Sequence, residues 1–236
     1  MSPGAERFCI LFVCTANACR SVIAERASVA GLHVRLGASA ARFHVASAGT
    51  AGLHGSALHP YTADALRQIG VSGDGFVSHA LTVSDIDRAD LILTAGREHR
   101  DQVVAMRPRV SRRIFLIREF PRLAACTLAP DTDGDPVGRA RSVVAGIARQ
   151  RGRVPYVDPT EDEIADPAAT SAAFVSCARV IQGAVRDVLD ALCGAPAAFA
   201  QRPVGLAGAH VGDVDRFPVT GGRRWRRAPR LPAPPP

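Results

Sequence analysis

The chain is expected to fold as an α/β domain, a mainly parallel sheet with helices on both faces. Three observations carry this. Short apolar and β-branched runs alternate with helical patterns between residues 8 and 193. The first run, Phe8-Cys9-Ile10-Leu11-Phe12-Val13, is apolar without a break, as in a strand buried on both faces. Phe174, Ala178, Ile181, Val185, Val188 and Leu192 recur in steps of four and three, on one face of a helix.

The elements follow in order. After the first strand comes a short polar stretch, Thr15 to Ser21, and then a helix over Val22 to Ala30 with Ile23, Ala27 and Ala30 on one face. A second strand is expected at Phe43-His44-Val45-Ala46, and residues 62–69 read as a helix stopped by Gly70. Asp90-Leu91-Ile92-Leu93-Thr94 is a third strand. Arg97 to Met106 is a helix halted by Pro108, and Arg113-Ile114-Phe115-Leu116-Ile117 is a fourth strand. Residues 127–160 read as an irregular insertion. The last helix spans 171–193, with Thr170 or Ser171 to cap its start and Gly194 its end. Its apolar stripe reads as a face packed on the sheet.

From Ala195 the composition changes, with eight Pro and five Gly in the last 42 of 236 residues. The domain is therefore assigned to 1–194, and 195–236 to a disordered Pro/Arg-rich tail. All 29 basic residues are Arg, which reads as a coding bias of a GC-rich bacterial genome. Seven of these Arg lie in the tail against two acids, so the charge points to an acidic partner for the tail and says nothing of the fold. Nucleic acid is not expected as a partner. No apolar run approaches the ~18–20 residues of a membrane span. Ala16-Asn17-Ala18 mimics a leader cleavage site, but Glu6 cancels Arg7 and the apolar stretch is at the minimum length, so secretion is not expected. Six cysteines without a C-x-x-C pair, and scattered His, argue against a disulfide scaffold and against zinc. Asp131, Asp133 and Asp135 imitate a calcium loop. Their Gly is misplaced and Ser142 stands where a bidentate Glu is required, so they read as a turn.

Chemistry concentrates in Cys14-Thr15-Ala16-Asn17-Ala18-Cys19-Arg20-Ser21. A Cys-x5-Arg spacing alone is weak in so arginine-rich a chain. Its setting is specific: the Cys ends a buried strand and the Arg opens a helix. Such a loop turns backbone N–H groups inward and makes a nest for an anion. The same field favours thiolate, so Cys14 is the candidate nucleophile. Arg20 has the planar fork that grips two phosphate oxygens. Ser21 can donate to the thiolate, and Asn17 accepts the left-handed backbone a tight cradle needs. Thr15, Ala16, Ala18 and Cys19 complete the cradle.

Val13 through Ser21 resembles the signature of the low-molecular-weight protein tyrosine phosphatases, including their arsenate-reductase-like bacterial relatives. Ala46-Ser47-Ala48-Gly49-Thr50 resembles the family's segment after the second strand. Ala89 to Thr94 with Arg97-Glu98-His99-Arg100 resembles its third strand and next helix, and Asp166-Pro167 stands where the family has an Asp-Pro before the last helix. The resemblance covers roughly 8–193, interrupted by the insertion. It implies a three-layer sandwich with a central four-stranded parallel sheet in the flavodoxin-like order 2-1-3-4. It also implies a bacterial cytoplasmic hydrolase of protein phosphotyrosine, working through phosphocysteine without metal or cofactor. By the same resemblance Asp166 is the general acid, although it otherwise reads as one more acid in the run Glu161 to Asp166. Ser47 buttresses the loop, bonding to Asn17, and Leu53 lines the pocket. Cys19 serves either as small apolar packing or as partner to Cys14 in a reversible disulfide.

Three departures stand out. Ala16 replaces the usual Gly and is strained if that position needs positive φ. Val22 replaces a Pro, and Ala168-Ala169 follow Asp166-Pro167 where an aromatic is usual. Two alternatives therefore stay open: arsenate reduction on the same scaffold, and a non-catalytic phosphate-binding module.

Overall fold

The structure is a computed structural model, and it describes residues 7–52, 54–127, 134–154 and 158–194. The tail 195–236 and Leu53 lie outside the described residues. The element order is β1 (Phe8–Cys14), α1 (Arg20–Leu36), β2 (Phe43–Gly49), α2 (Pro60–Gln68), α3 (Val83–Arg88), β3 (Leu91–Thr94), α4 (Arg97–Met106), β4 (Ile114–Leu116), α5 (Glu119–Ala124), α6 (Pro136–Gln150) and α7 (Ser171–Cys193). The four strands form one parallel sheet in the order β2-β1-β3-β4, as expected.

The unbroken apolar run of β1 has a structural reason. Phe8, Ile10 and Phe12 face one core with residues of α1, α2, α5, α6 and α7. Leu11 and Val13 face a second, smaller core with Ile86 of α3, Val103 of α4 and Val110. Alternate residues of one strand thus supply both faces of the sheet, giving three layers. α7 is the main pillar of the larger layer and packs on α1 and α2. Its N-cap is Thr170, whose hydroxyl accepts from Ala173 N at 3.3 Å, and Gly194 closes it at φ 83°.

Three α-helices, α3, α5 and α6, lie where none was expected. Residues 136–150, assigned to an irregular insertion, form α6. Val137, Ala140, Val143, Val144 and Ile147 are buried along one face, and Asp135 accepts from the N–H groups of Val137 and Gly138. Asp135 of the calcium-like triplet is therefore a helix cap. The short α3 starts with a capping box, with Thr82 accepting from Asp85 N and the Asp85 carboxylate accepting from Thr82 N.

The register puts the carboxyl ends of all strands together. Cys14 pairs with Gly49 and Val13 with Thr94, so the loop after Cys14 curls over the end of β2. A Cβ on Gly49 would lie 2.6 Å from Thr15 O, 2.7 Å from Asn17 N and 2.8 Å from Ala16 C, all rigid backbone. Gly49→Ala is expected to cost roughly 1–3 kcal/mol by overpacking. Gly183→Ala, with open space around its Cβ inside α7, is expected to stabilise by up to about 1 kcal/mol. Urea denaturation of both variants checks the opposed signs.

Candidate active site

The loop Thr15–Cys19 joins β1 to α1 at the carboxyl edge of the sheet. Its backbone is shaped by Asn17, the one described non-glycine residue with positive φ, at 52°. The left-handed turn therefore falls on Asn17, whose short polar side chain accepts it. Ala16 is not in that region, so its Cβ is unstrained. Among the described residues, none of the N–H groups of residues 15–19 donates to a protein acceptor, and no side chain caps α1. These donors and the helix start together make the nest that an anion needs.

Asn17 is fully buried, and its amide is fully engaged. Its Oδ1 accepts from His79 N at 2.7 Å. That bond fixes the orientation of the amide, because a backbone N–H can only donate. Nδ2 then donates to Ser21 Oγ at 3.0 Å and to Ser47 Oγ at 2.8 Å. Ser47 Oγ donates to Glu25 Oε2 at 2.5 Å. Ser21, already an acceptor, has its proton free for Cys14 Sγ at 3.0 Å. The chain His79 N–H to Asn17 to Ser21 thus ends at a hydroxyl that can donate to the sulfur, the arrangement that suits a thiolate. Ser47 stands where the resemblance put it, and it bonds Asn17.

Arg20 is buried, and both of its terminal nitrogens are hydrogen-bonded. Nη1 donates to Ile164 O at 3.1 Å, Nη2 donates to Thr15 Oγ1 at 3.2 Å, and Nε lies 3.1 Å from Asp166 Oδ1. Asp166 itself is largely exposed, with 73% of its side chain accessible. The acids before it are anchored. Asp162 is buried and pairs with Arg122 at 2.5 Å, Glu163 pairs with Arg97 at 2.8 Å, and Ile164 N donates to Ala95 O. The run is thus a tether that brings Asp166 to the loop.

Several residues here were not singled out from sequence. His99 is buried with Nε2 2.9 Å from Thr15 Oγ1. Glu25 and His79 complete the Asn17 network. Cys177 of α7 meets Cys19: the contact raises the Cys19 pKa, with burial adding to it, and lowers that of Cys177 against the opposing effect of burial. All six cysteines are free thiols. Each of these contacts joins positions far apart in the chain, so no local pattern announces them. Thr62 at the start of α2 donates to Ala18 O at 2.8 Å. Beside it His59, Tyr61 and Phe174 form an aromatic cluster, with His59 stacked on Phe174 at 5.1 Å. A groove of about 870 Å³ between α5, α6 and α7 contains no loop residue. Among the described residues no group of three or more His, Cys, Asp or Glu is placed to hold a metal. No helix of the described residues is long and apolar enough to cross a membrane.

Burial pushes the Glu25 carboxyl above its ordinary value, against the opposing pull of Ser47 and Arg26. Folding therefore favours its protonated form. That contribution is full below the ordinary carboxylate range and is lost as pH rises through the raised value. Glu25→Gln keeps an acceptor for Ser47 and removes the charge. It is expected to melt higher than wild type at about pH 8, with the difference shrinking toward about pH 4. Paired thermal melts read this directly.

Residues 9–131 match the sequence profile described as low molecular weight phosphotyrosine protein phosphatase. The chain is 36% identical over 114 residues to the low molecular weight protein-tyrosine-phosphatase Etp of Escherichia coli K12, covering 47% of this chain and 70% of that protein. It is 35% identical over 96 residues to the low molecular weight protein-tyrosine-phosphatase YfkJ of Bacillus subtilis, covering 38% and 57%. Its fold is similar to the crystal structure of the Erwinia amylovora tyrosine phosphatase amsI, with a TM-score of 0.56 at 24% identity, covering 81% of this chain and 97% of that one. Profile and relatives agree: the chain belongs to the low molecular weight phosphotyrosine protein phosphatase family.

Proposed function

We propose that the chain hydrolyses phosphotyrosine on proteins through a phosphocysteine formed on Cys14. The observation that carries this is the hydrogen-bonded chain from His79 N–H through Asn17 to Ser21, whose hydroxyl lies 3.0 Å from the sulfur. It makes Cys14 a ready nucleophile and a competent leaving group, and no group needs to rearrange.

In the first step the Cys14 sulfur attacks phosphorus and the bond to the phenolic oxygen breaks. The phosphoryl oxygens lie in the nest of residues 15–19 and against the Arg20 fork, where fixed dipoles meet the charge of the transition state. Asp166, on its tether beside Arg20, gives its proton to the departing phenolate. In the second step Asp166 takes a proton from water, which attacks the phosphocysteine and releases phosphate. Ser21 then stabilises the departing thiolate. The family profile ends before Asp166, so the acid role rests on its place beside Arg20 and on the Asp-Pro resemblance. The reading includes a bacterial cytoplasmic setting, supported by the bacterial relatives.

Hydrolysis of an aryl phosphate tests the reading. Cys14→Ser is expected to be inactive, and Asp166→Ala to lose about 10²–10⁴-fold in kcat. A Cys14→Ser protein that still turns over rejects the phosphocysteine route. A well-folded wild type without activity favours the phosphate-binding module instead.

Ser21→Ala separates the two steps. It leaves attack possible but weakens thiolate departure, so phosphocysteine breakdown is expected to limit turnover. Stopped-flow kinetics should then show a burst of phenol of about one equivalent before a slow steady state.

A further inference from the structure

The sequence reading gave Arg20 the phosphate but left open what aims it. A guanidinium on a flexible stem grips two oxygens only if its plane is held. Ile164 O holds one terminal nitrogen of Arg20, and Thr15 Oγ1 holds the other. Ile164 is fixed by its own N–H to Ala95 O. Thr15 is exposed, and an exposed threonine hydroxyl is free to turn to water.

His99 removes that freedom. It sits in the first turn of α4, 1% exposed, and its Nε2 is 2.9 Å from Thr15 Oγ1. The imidazole has two side-chain torsions, both fixed by burial, so it is a rigid post behind a loose hydroxyl. We propose that His99 is a positioning residue for the phosphate grip: by holding the Thr15 hydroxyl it fixes the plane of the Arg20 guanidinium. The proposal rests on the phosphatase reading for the use of that grip.

The charge environment agrees. Burial first, and then the nearby Arg20, push the His99 pKa below its ordinary value, against Glu98 and Asp166. The ring is thus neutral near pH 7 and does not repel the guanidinium it helps to aim. The Glu98 carboxylate lies 3.3 Å from the same ring nitrogen, but its side chain is 68% exposed and contributes little holding power.

The experiment measures inorganic phosphate binding by calorimetry, with kcat and KM for an aryl phosphate alongside. The proteins are wild type, His99→Ala, His99→Gln, Thr15→Val and the Thr15→Val/His99→Ala double variant. His99→Ala is expected to weaken phosphate binding by about tenfold, the scale of one hydrogen bond to a charged group, with kcat/KM falling at least as far. His99→Gln again offers a polar group to Thr15 and is expected to recover to within about threefold of wild type. Thr15→Val should match His99→Ala, and the double variant should be no worse than either, because one chain of contacts is cut twice.

A phosphate affinity unchanged in Thr15→Val overturns the proposal, and this variant decides the matter even if His99→Ala fails to fold. Losses that multiply in the double variant overturn it too, as does a His99→Ala protein that melts lower yet binds phosphate like wild type. A wild type without hydrolysis but with the expected pattern of phosphate affinities would reject the phosphatase reading and leave the positioning role standing.

Discussion

The site depends above all on one buried amide. Asn17 carries the left-handed turn of the loop, and it also orients the serine that faces the sulfur. Both functions need the same residue. A glycine would give the backbone freedom without the hydrogen bonds, and an alanine neither. The amide cannot flip without setting two N–H groups against each other at His79, and an unmatched buried polar pair costs a few kcal/mol. Loop shape and hydroxyl direction are therefore set by one constraint, anchored on the segment around His79 and on β2 through Ser47.

Gly49 is the complement of that constraint. The parallel register brings the end of β2 directly beneath the loop, and only a residue without a side chain fits there. The second anchor comes from the far side, where the acidic tether of Asp162 and Glu163 brings Ile164 and Asp166 to Arg20. Strand ends, one glycine and one tether thus hold a loop whose own backbone donors stay unused among the described residues.

Much of the architecture was legible, because it follows from local periodicity. β1 has a continuous apolar run, α4 is stopped by Pro108, and the apolar stripe of α7 lies between a Thr cap and a Gly stop. α6 was hidden because its buried face is built of valines, alanine and one isoleucine, among glycines and arginines, which blurs the amphipathic contrast. α3 was hidden because its six residues bury one large side chain, Ile86, and its signal is a capping box with Asp in place of the usual Glu. The loop was legible as chemistry, since Cys14, Arg20 and Ser21 lie within eight positions. Its supports were not. His99, Glu25, His79 and Cys177 reach it only through the tertiary fold, and the acids before Asp166 look solvated until Arg97 and Arg122 are seen opposite them. The condition for strain at Ala16 is not met, because the left-handed turn falls on Asn17, the residue whose side chain suits it.

Arg20 and its carbonyl anchor are 144 residues apart. On a ribosome the nucleophile loop therefore emerges early and waits for nearly the whole domain before the guanidinium is clamped. A growing or truncated chain that lacks Ile164 carries the cysteine without this clamp on its guanidinium, whereas a completed one has it. The full phosphate grip is thus a property of the finished molecule alone.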